Sequence, residues 1–187
     1  MDKKKRILIF SLAYHPVVGG AEIAIKEITD RIPEYEFDLI SKRFDPNHKS
    51  SEKMGNVYVH RIDSSKLFFP VNAYFFARKL HKRNNYNGIW GMMAAHAGAA
   101  AMFFKYSFPN VPYVLTLQEG VPIEYIKKLM RPIFPLYRKI FTKADKIQVI
   151  SNYLGDFARS MEYKGPVVVI PNGVDAKLFG AISDSEK

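Results

Sequence analysis

Seven short apolar runs, separated by stretches of helical periodicity, constrain this chain more than any other feature. They are Ile7–Leu12, Phe37–Ser41, Val57–Ile62, Ile89–Met93, Tyr113–Leu117, Ile147–Ser151 and Val167–Ile170. Several are almost continuously apolar, as strands covered on both faces must be. Between the first two, Ala21, Ile25, Ile28 and Ile32 recur at helical spacing while Lys26, Glu27 and Asp30 turn away. Ala73, Phe76, Ala77 and Leu80 repeat the pattern further on. Such alternation predicts an α/β fold with a doubly wound, mainly parallel, Rossmann-like sheet. Parallel strands need right-handed crossovers, and ligands then gather at the strands' carboxyl ends. Pro132 and Pro135 each remove a backbone donor, so Ile123–Lys146 is expected as a kinked or broken pair of helices.

A chain of 187 residues without a linker suits a single domain over its whole length. It holds no cysteine, which excludes a disulfide framework, a thiolate zinc site and a thiol nucleophile, and fits a reducing cytoplasm. Two stretches imitate membrane signals. Met1–Tyr14 begins with Lys3, Lys4, Lys5 and Arg6 and turns apolar, but His15-Pro16 and Gly19-Gly20 end the run without a small-residue cleavage site. Gly88–Phe104 has His96 as its one ionisable side chain, yet it falls short of the ~20 apolar residues a span needs. Both read as buried strands leading into helices.

The turn after the first strand runs from Ser11 to Glu22 and contains Gly19-Gly20. Glycines at such a place let a phosphate approach the backbone, and free amides at a helix start can receive it. The turn matches neither Gly-x-Gly-x-x-Gly nor the P-loop, so a dinucleotide or NTPase site is not indicated. Taken alone, the pair also fits a plain tight turn. His15 fits a polar contact at the cleft and loop filling equally. Glu22 stands where the helix dipole favours an acid, and there it would repel a phosphate that came too close.

Read together with the far end of the chain, this turn falls into a larger pattern. Ala144-Asp145-Lys146-Ile147-Gln148-Val149-Ile150-Ser151 is followed by Val168-Val169-Ile170-Pro171-Asn172-Gly173-Val174-Asp175 and then Leu178-Phe179. With Pro16 and Gly19-Gly20-Ala21-Glu22, the chain resembles the retaining glycosyltransferases of family four over nearly its whole length. The resemblance implies the N-terminal, acceptor-side half of a GT-B fold. A second Rossmann-like domain would then bind a nucleotide-sugar donor, and residues 172–187 would begin the linker toward it. It implies that Gly19 and Gly20 approach the donor diphosphate, and that a hexosyl unit passes to an acceptor hydroxyl with retention. The acceptor would be a sugar or a lipid-linked sugar. No cofactor beyond the nucleotide sugar and no metal are expected, and no cluster of acids or histidines stands at metal-ligand spacing. A GT-B epimerase or phosphorylase half, or a non-catalytic carbohydrate- or phosphate-binding module, are the rival readings.

Many family members carry a histidine near the transferred sugar where this chain has Thr116-Leu117-Gln118-Glu119-Gly120. Gln118 can donate and accept hydrogen bonds but cannot act as an acid or base near neutral pH. It is expected at the catalytic centre, holding a sugar hydroxyl or the donor, or else is simply polar beyond a strand end. Glu119 is expected either beside it as an acceptor contact or as a solvated surface acid. His96, between Met93-Ala94-Ala95 and Ala97-Gly98, is a candidate for substrate binding along with His15, or a histidine on a packed face.

The net charge of +10 is localised. Lys66–Arg83 carries 5 cations and no acid, and Ile123–Lys146 carries 7 cations against 2 acids. Both are rich in aromatics, among them Phe68, Phe75, Tyr125 and Phe134. Cations mixed with large apolar side chains suit an anionic bilayer at the inner face of the plasma membrane, or else a solvated face over core aromatics. Nucleic acid would need a reading motif as well, and the sequence has none.

Overall fold

The computed structural model of the chain describes residues 4–120 and 122–173. Among the described residues eight strands form one sheet: β1 (Lys5–Phe10), β2 (Tyr35–Lys42), β3 (Ser51–Met54), β4 (Val57–Ile62), β5 (Gly88–Met92), β6 (Tyr113–Leu117), β7 (Lys146–Val149) and β8 (Val167–Val169). Their order is β3-β4-β2-β1-β5-β6-β7-β8, and every neighbouring pair is parallel except β3 with β4. All seven expected strands are present. The eighth, β3, is a polar edge strand with the sequence Ser-Glu-Lys-Met, the kind that leaves no apolar run to read.

The helices are α1 (Gly20–Asp30), α2 (Phe69–Asn84), α3 (His96–Ser107), α4 (Ile123–Met130), α5 (Phe134–Thr142) and α6 (Asn152–Ser160). A 3₁₀ turn, Arg131–Ile133, joins α4 to α5. Pro132 and Pro135 stand at the starts of this turn and of α5, where a missing N–H costs nothing, so the expected break in the helix is found.

The core divides by the period of two along the strands. Leu8 and Phe10 join the larger cluster, with α2, α3, α5 and α6, whereas Ile9 joins Leu39, Val57 and Val59 beneath Ile25 of α1. One feature of α1 differs from expectation. Its buried line runs through Ile25 and Thr29, while Ile28 is 44% exposed. Thr29 substitutes for an apolar residue because its hydroxyl donates to the Ile25 carbonyl at 2.9 Å, leaving a methyl for the core.

Topology decides where a ligand can sit. From β1 the chain winds outward through β2 and β4, then returns to place β5 on the other side of β1. Winding therefore reverses between β1 and β5, and the loops leaving their carboxyl ends diverge to open a crevice.

Candidate functional site

Two loops flank the crevice, residues 11–19 after β1 and Met93–Ala95 after β5. In the first, Gly19 caps α1 with an extended backbone (φ −139°) and no side-chain hydrogen bond. Neither Gly19 nor Gly20 has positive φ, so no left-handed turn demands glycine here. Space does distinguish them. A Cβ on Gly19 would lie 2.7 Å from the Glu22 carboxylate, whereas one on Gly20 would meet nothing within 4 Å. The surface over Gly20 is thus open, and the first amides of α1 emerge beside it.

His15 lies on the outer side of this loop, lining a cleft of about 410 Å³ with Pro16, His48, Lys49 and Glu52. Its Nε2 is buried without a hydrogen-bond partner. Its carbonyl accepts from Arg61, a residue not anticipated from the sequence. Arg61 is 4% exposed, donates to the Lys49 carbonyl at 2.9 Å and pairs with Glu52 at 2.6 Å. The guanidinium thereby fastens the β1 loop to the loop entering β3. The sequence carried the signal: Val57, Val59 and Arg61 alternate, so Arg61 faces the interior with two valines.

Beyond β5, Met93 takes φ +70°, a conformation uncommon for a side chain without local compensation. The turn is held on three sides. Met93 N–H donates to the Thr116 carbonyl at 2.8 Å, and the Met93 carbonyl accepts from Gly98 N–H at 3.0 Å. Ala94 N–H donates to Oε1 of Glu119 at 2.6 Å. Gly98 is required by close approach: a Cβ there would lie 2.7 Å from Ile140 and 2.8 Å from the Met93 carbonyl.

Glu119 is therefore not a solvated surface acid. Its carboxyl is buried, Oε2 has no hydrogen-bond partner, and burial pushes its pKa up against the opposing effect of backbone N–H donors, Ala94 first among them. The side chain holds the β5–α3 turn in place. The buried hydroxyls of Tyr113 and Tyr137 have raised pKa values, chiefly from burial and secondarily from the nearby Glu119 charge.

Gln118, the preceding residue, is turned the other way. Its amide donates to Oδ1 of Asn172 at 3.1 Å and accepts from Nδ2 of Asn172 at 3.3 Å. The two expected catalytic candidates thus sit back to back, with one bracing the turn after β5 and the other joined to the segment leaving β8. His96 is half-buried as the first residue of α3, and its imidazole makes no hydrogen bond among the described residues. Burial, then the charge of Lys66, lowers its pKa. Among the described residues no group of acids and histidines could hold a metal ion, and no helix is long and apolar enough to cross a membrane.

Because β1, β5 and β6 are neighbours about 4.8 Å apart, Gly20 and His96, at the starts of α1 and α3, and Gln118, just after β6, lie beyond adjoining strand ends along one edge. The sequence model of Glycosyltransferase Family 4 matches residues 18–178, from the glycine turn to beyond the Pro171-Asn172-Gly173 element. The chain belongs to glycosyltransferase family 4. It is a glycosyltransferase domain with a Rossmann-like fold of the GT-B kind. Val174, Asp175, Leu178 and Phe179, which complete the sequence element, lie outside the described residues.

Solved structures agree on the fold. Sucrose-phosphate synthase from Thermosynechococcus elongatus superposes with a TM-score of 0.76 at 19% identity, over 96% of this chain and 51% of that one. A glycosyltransferase from Rickettsia africae gives 0.63 at 18% identity, covering 99% and 48%. An α,α-trehalose 6-phosphate synthase from Burkholderia multivorans gives 0.60 at 12% identity, covering 99% and 53%. The chain spans about half the length of these structures. No curated protein sequence matches it.

Proposed function

We propose that this glycosyltransferase domain is the acceptor-side half of a retaining enzyme that moves a hexosyl unit from a nucleotide sugar to an acceptor hydroxyl. The observation that carries this is the reversal of winding between β1 and β5, which sets the open Gly20 surface and the Met93–His96 turn on opposite sides of one crevice. In this reading the bare backbone at Gly20 and the α1 amides meet the donor diphosphate, since helix N-termini favour anions. Glu22 keeps its carboxylate against Gly19, leaving Gly20 as the point of approach. Gln118 and Asn172 present one amide pair to the reacting sugars, and His96, favoured in its neutral form, receives an acceptor hydroxyl.

A second Rossmann-like domain completes the site, supplying the nucleotide pocket. The reading frame beyond Lys187 is then expected to encode roughly 150–200 further residues with a paired-glutamate donor motif. A stop codon just after Lys187 in the native gene overturns the two-domain reading. The single domain is expected to fold cooperatively and transfer no sugar, and glycosyl transfer by it alone overturns that reading as well.

We also infer that the domain sits at the inner face of an anionic membrane, reached from the cytoplasm. The two basic segments belong to one helical layer, α2 beside α3 and α3 beside α5. Phe68, Phe75, Tyr125, Leu129 and Ile133 are each more than half exposed, and Lys128 and Arg131 are exposed among the last three. Exposed apolar side chains ringed by cations suit a lipid headgroup region.

A further inference from the structure

Glu119 is a buried carboxyl that the proposed chemistry leaves without a task, and what it holds is a single peptide plane. The plane joins Met93 to Ala94. Its carbonyl accepts from the Gly98 N–H at 3.0 Å and its N–H donates to Oε1 of Glu119 at 2.6 Å, so it is pinned at both ends. Met93 carries the plane in the left-handed region, at φ +70°, which residues other than glycine adopt where their surroundings fix it. His96 follows two residues after Ala94, as the first residue of α3.

The two pins differ in origin. Gly98 belongs to the helix that follows, whereas Glu119 reaches Ala94 from another strand end, 25 positions away. The start of α3 has no cap of its own: its N-cap is Ala95, without a side-chain hydrogen bond, and its first turn holds no acid. Glu119 brings an acid there from the loop after β6, where the helix dipole favours one. It is not shared with a cation, for Glu119 forms no ion pair among the described residues. The hydroxyls of Tyr113 from β6 and Tyr137 from α5 feel its charge, and burial raises both out of the range in which a carboxyl or an imidazole titrates. Ala94 is fully buried, so without the carboxyl its N–H would be left with no partner. The plane relieves that cost by turning, and Ala95 and His96 turn with it.

We propose that Glu119 is a positioning residue of the crevice: by pinning the Met93–Ala94 peptide it sets where His96 stands. Its consequence for the reaction rests on the reading of His96 as the acceptor contact. In the dipeptide Gln118-Glu119 one side chain then meets the reacting sugars, and the other places the imidazole that works beside it.

The test follows the His96 imidazole and the Ala94 amide by NMR in the 187-residue chain. Wild type, Glu119→Gln and Glu119→Ala are compared, with His96→Ala to assign the imidazole. Glutamine keeps a carbonyl for the Ala94 N–H, so Glu119→Gln should leave His96 titrating below the ordinary histidine range, as in wild type. In Glu119→Ala the His96 midpoint should rise by about half a pH unit or more as its burial is relieved, and the Ala94 amide should lose its hydrogen-bonded shift. A lower melting temperature in Glu119→Ala with an unmoved His96 midpoint makes the carboxyl a structural support only and overturns the proposal. So does a Glu119→Gln variant that behaves as Glu119→Ala does. Should the alanine variant fail to fold, wild type and Glu119→Gln decide. Ionisation strengthens the bond from the Ala94 N–H, so the Ala94 amide should show a step above the ordinary carboxyl range, and His96 should show it besides its own titration. Both steps should be absent in Glu119→Gln, and a step at Ala94 with none at His96 overturns the proposal. Wild-type transfer by His96→Ala in the complete polypeptide, with the shifts as expected, supports the pinned turn and overturns the acceptor reading alone.

Discussion

Gln118 and Asn172 are 54 positions apart, yet their side-chain amides exchange two hydrogen bonds, at 3.1 and 3.3 Å. The pair ties the end of β6 to the segment leaving β8, across the intervening β7. A glutamine here does what a titratable group could not: it donates and accepts at once without changing charge with pH.

If the two amides act as one unit on the reacting sugars, Gln118→Ala in the complete enzyme should lower turnover by about 10–100-fold, as losing a well-placed polar contact does. Asn172→Ala should cost about as much, and the double variant little more than either, because residues acting together are not additive. Stability should change by less than about 1.5 kcal/mol, the worth of an ordinary hydrogen bond. Steady-state rates and urea melts of the three variants check this. Wild-type turnover in both single variants makes the pair purely structural.

Glu119 should make stability depend on pH with a definite sign. Burial raises its folded pKa above the unfolded value, so the folded state holds the proton more tightly. Stability from this group is full below the ordinary carboxyl pKa and is lost as pH rises through the raised folded value. Glu119→Gln should remove that slope, seen by comparing urea unfolding at acid and neutral pH with wild type. Glu119→Ala should cost about 1–3 kcal/mol at acid pH, since the Ala94 N–H loses its acceptor. An unchanged pH slope in Glu119→Gln contradicts the assignment.

The sheet was legible because its seven parallel strands are apolar runs, and the kinked helix pair because prolines cannot be hidden. Ser51–Met54 was not legible, for a polar edge strand is fixed by its neighbour Val57–Ile62 and not by its own composition. Helical spacing placed Ile28 in the core, but the buried line of α1 runs through Ile25 and Thr29, whose hydroxyl is satisfied by the Ile25 carbonyl and so does not read as a core position. Gln118 and Glu119 were found as neighbours at a strand end. That they face opposite ways, one to Asn172 and one to Ala94, depends on contacts over 54 and 25 positions that no local pattern encodes. Arg61 was legible by its place in the alternation after Val57 and Val59, and was missed because a charge inside a strand reads as surface.

The basic helical layer should bind vesicles containing anionic lipid and ignore neutral ones. Each Lys or Arg near the surface contributes about 1 kcal/mol, and added salt should weaken binding by screening. Lys127→Glu, Lys128→Glu and Arg131→Glu together should abolish co-sedimentation without lowering the melting temperature. Equal binding to neutral and anionic vesicles, or none to either at low salt, returns these helices to ordinary solvated surface.

Gly20 bears most directly on the central claim, that the crevice between β1 and β5 receives the donor diphosphate on open backbone. A Cβ at this position meets nothing within 4 Å, and its φ is not positive, so Gly20→Val should fold as the wild type does. In the complete polypeptide that carries this chain, glycosyl transfer from a panel of nucleotide sugars is followed for wild type and Gly20→Val. The account predicts transfer by the wild type with the donor's anomeric configuration kept, and a loss of about 100-fold or more in the variant, comparable to removing a key electrostatic donor. Wild-type rates in a folded Gly20→Val enzyme, or no transfer from any nucleotide sugar by the complete polypeptide, would contradict it.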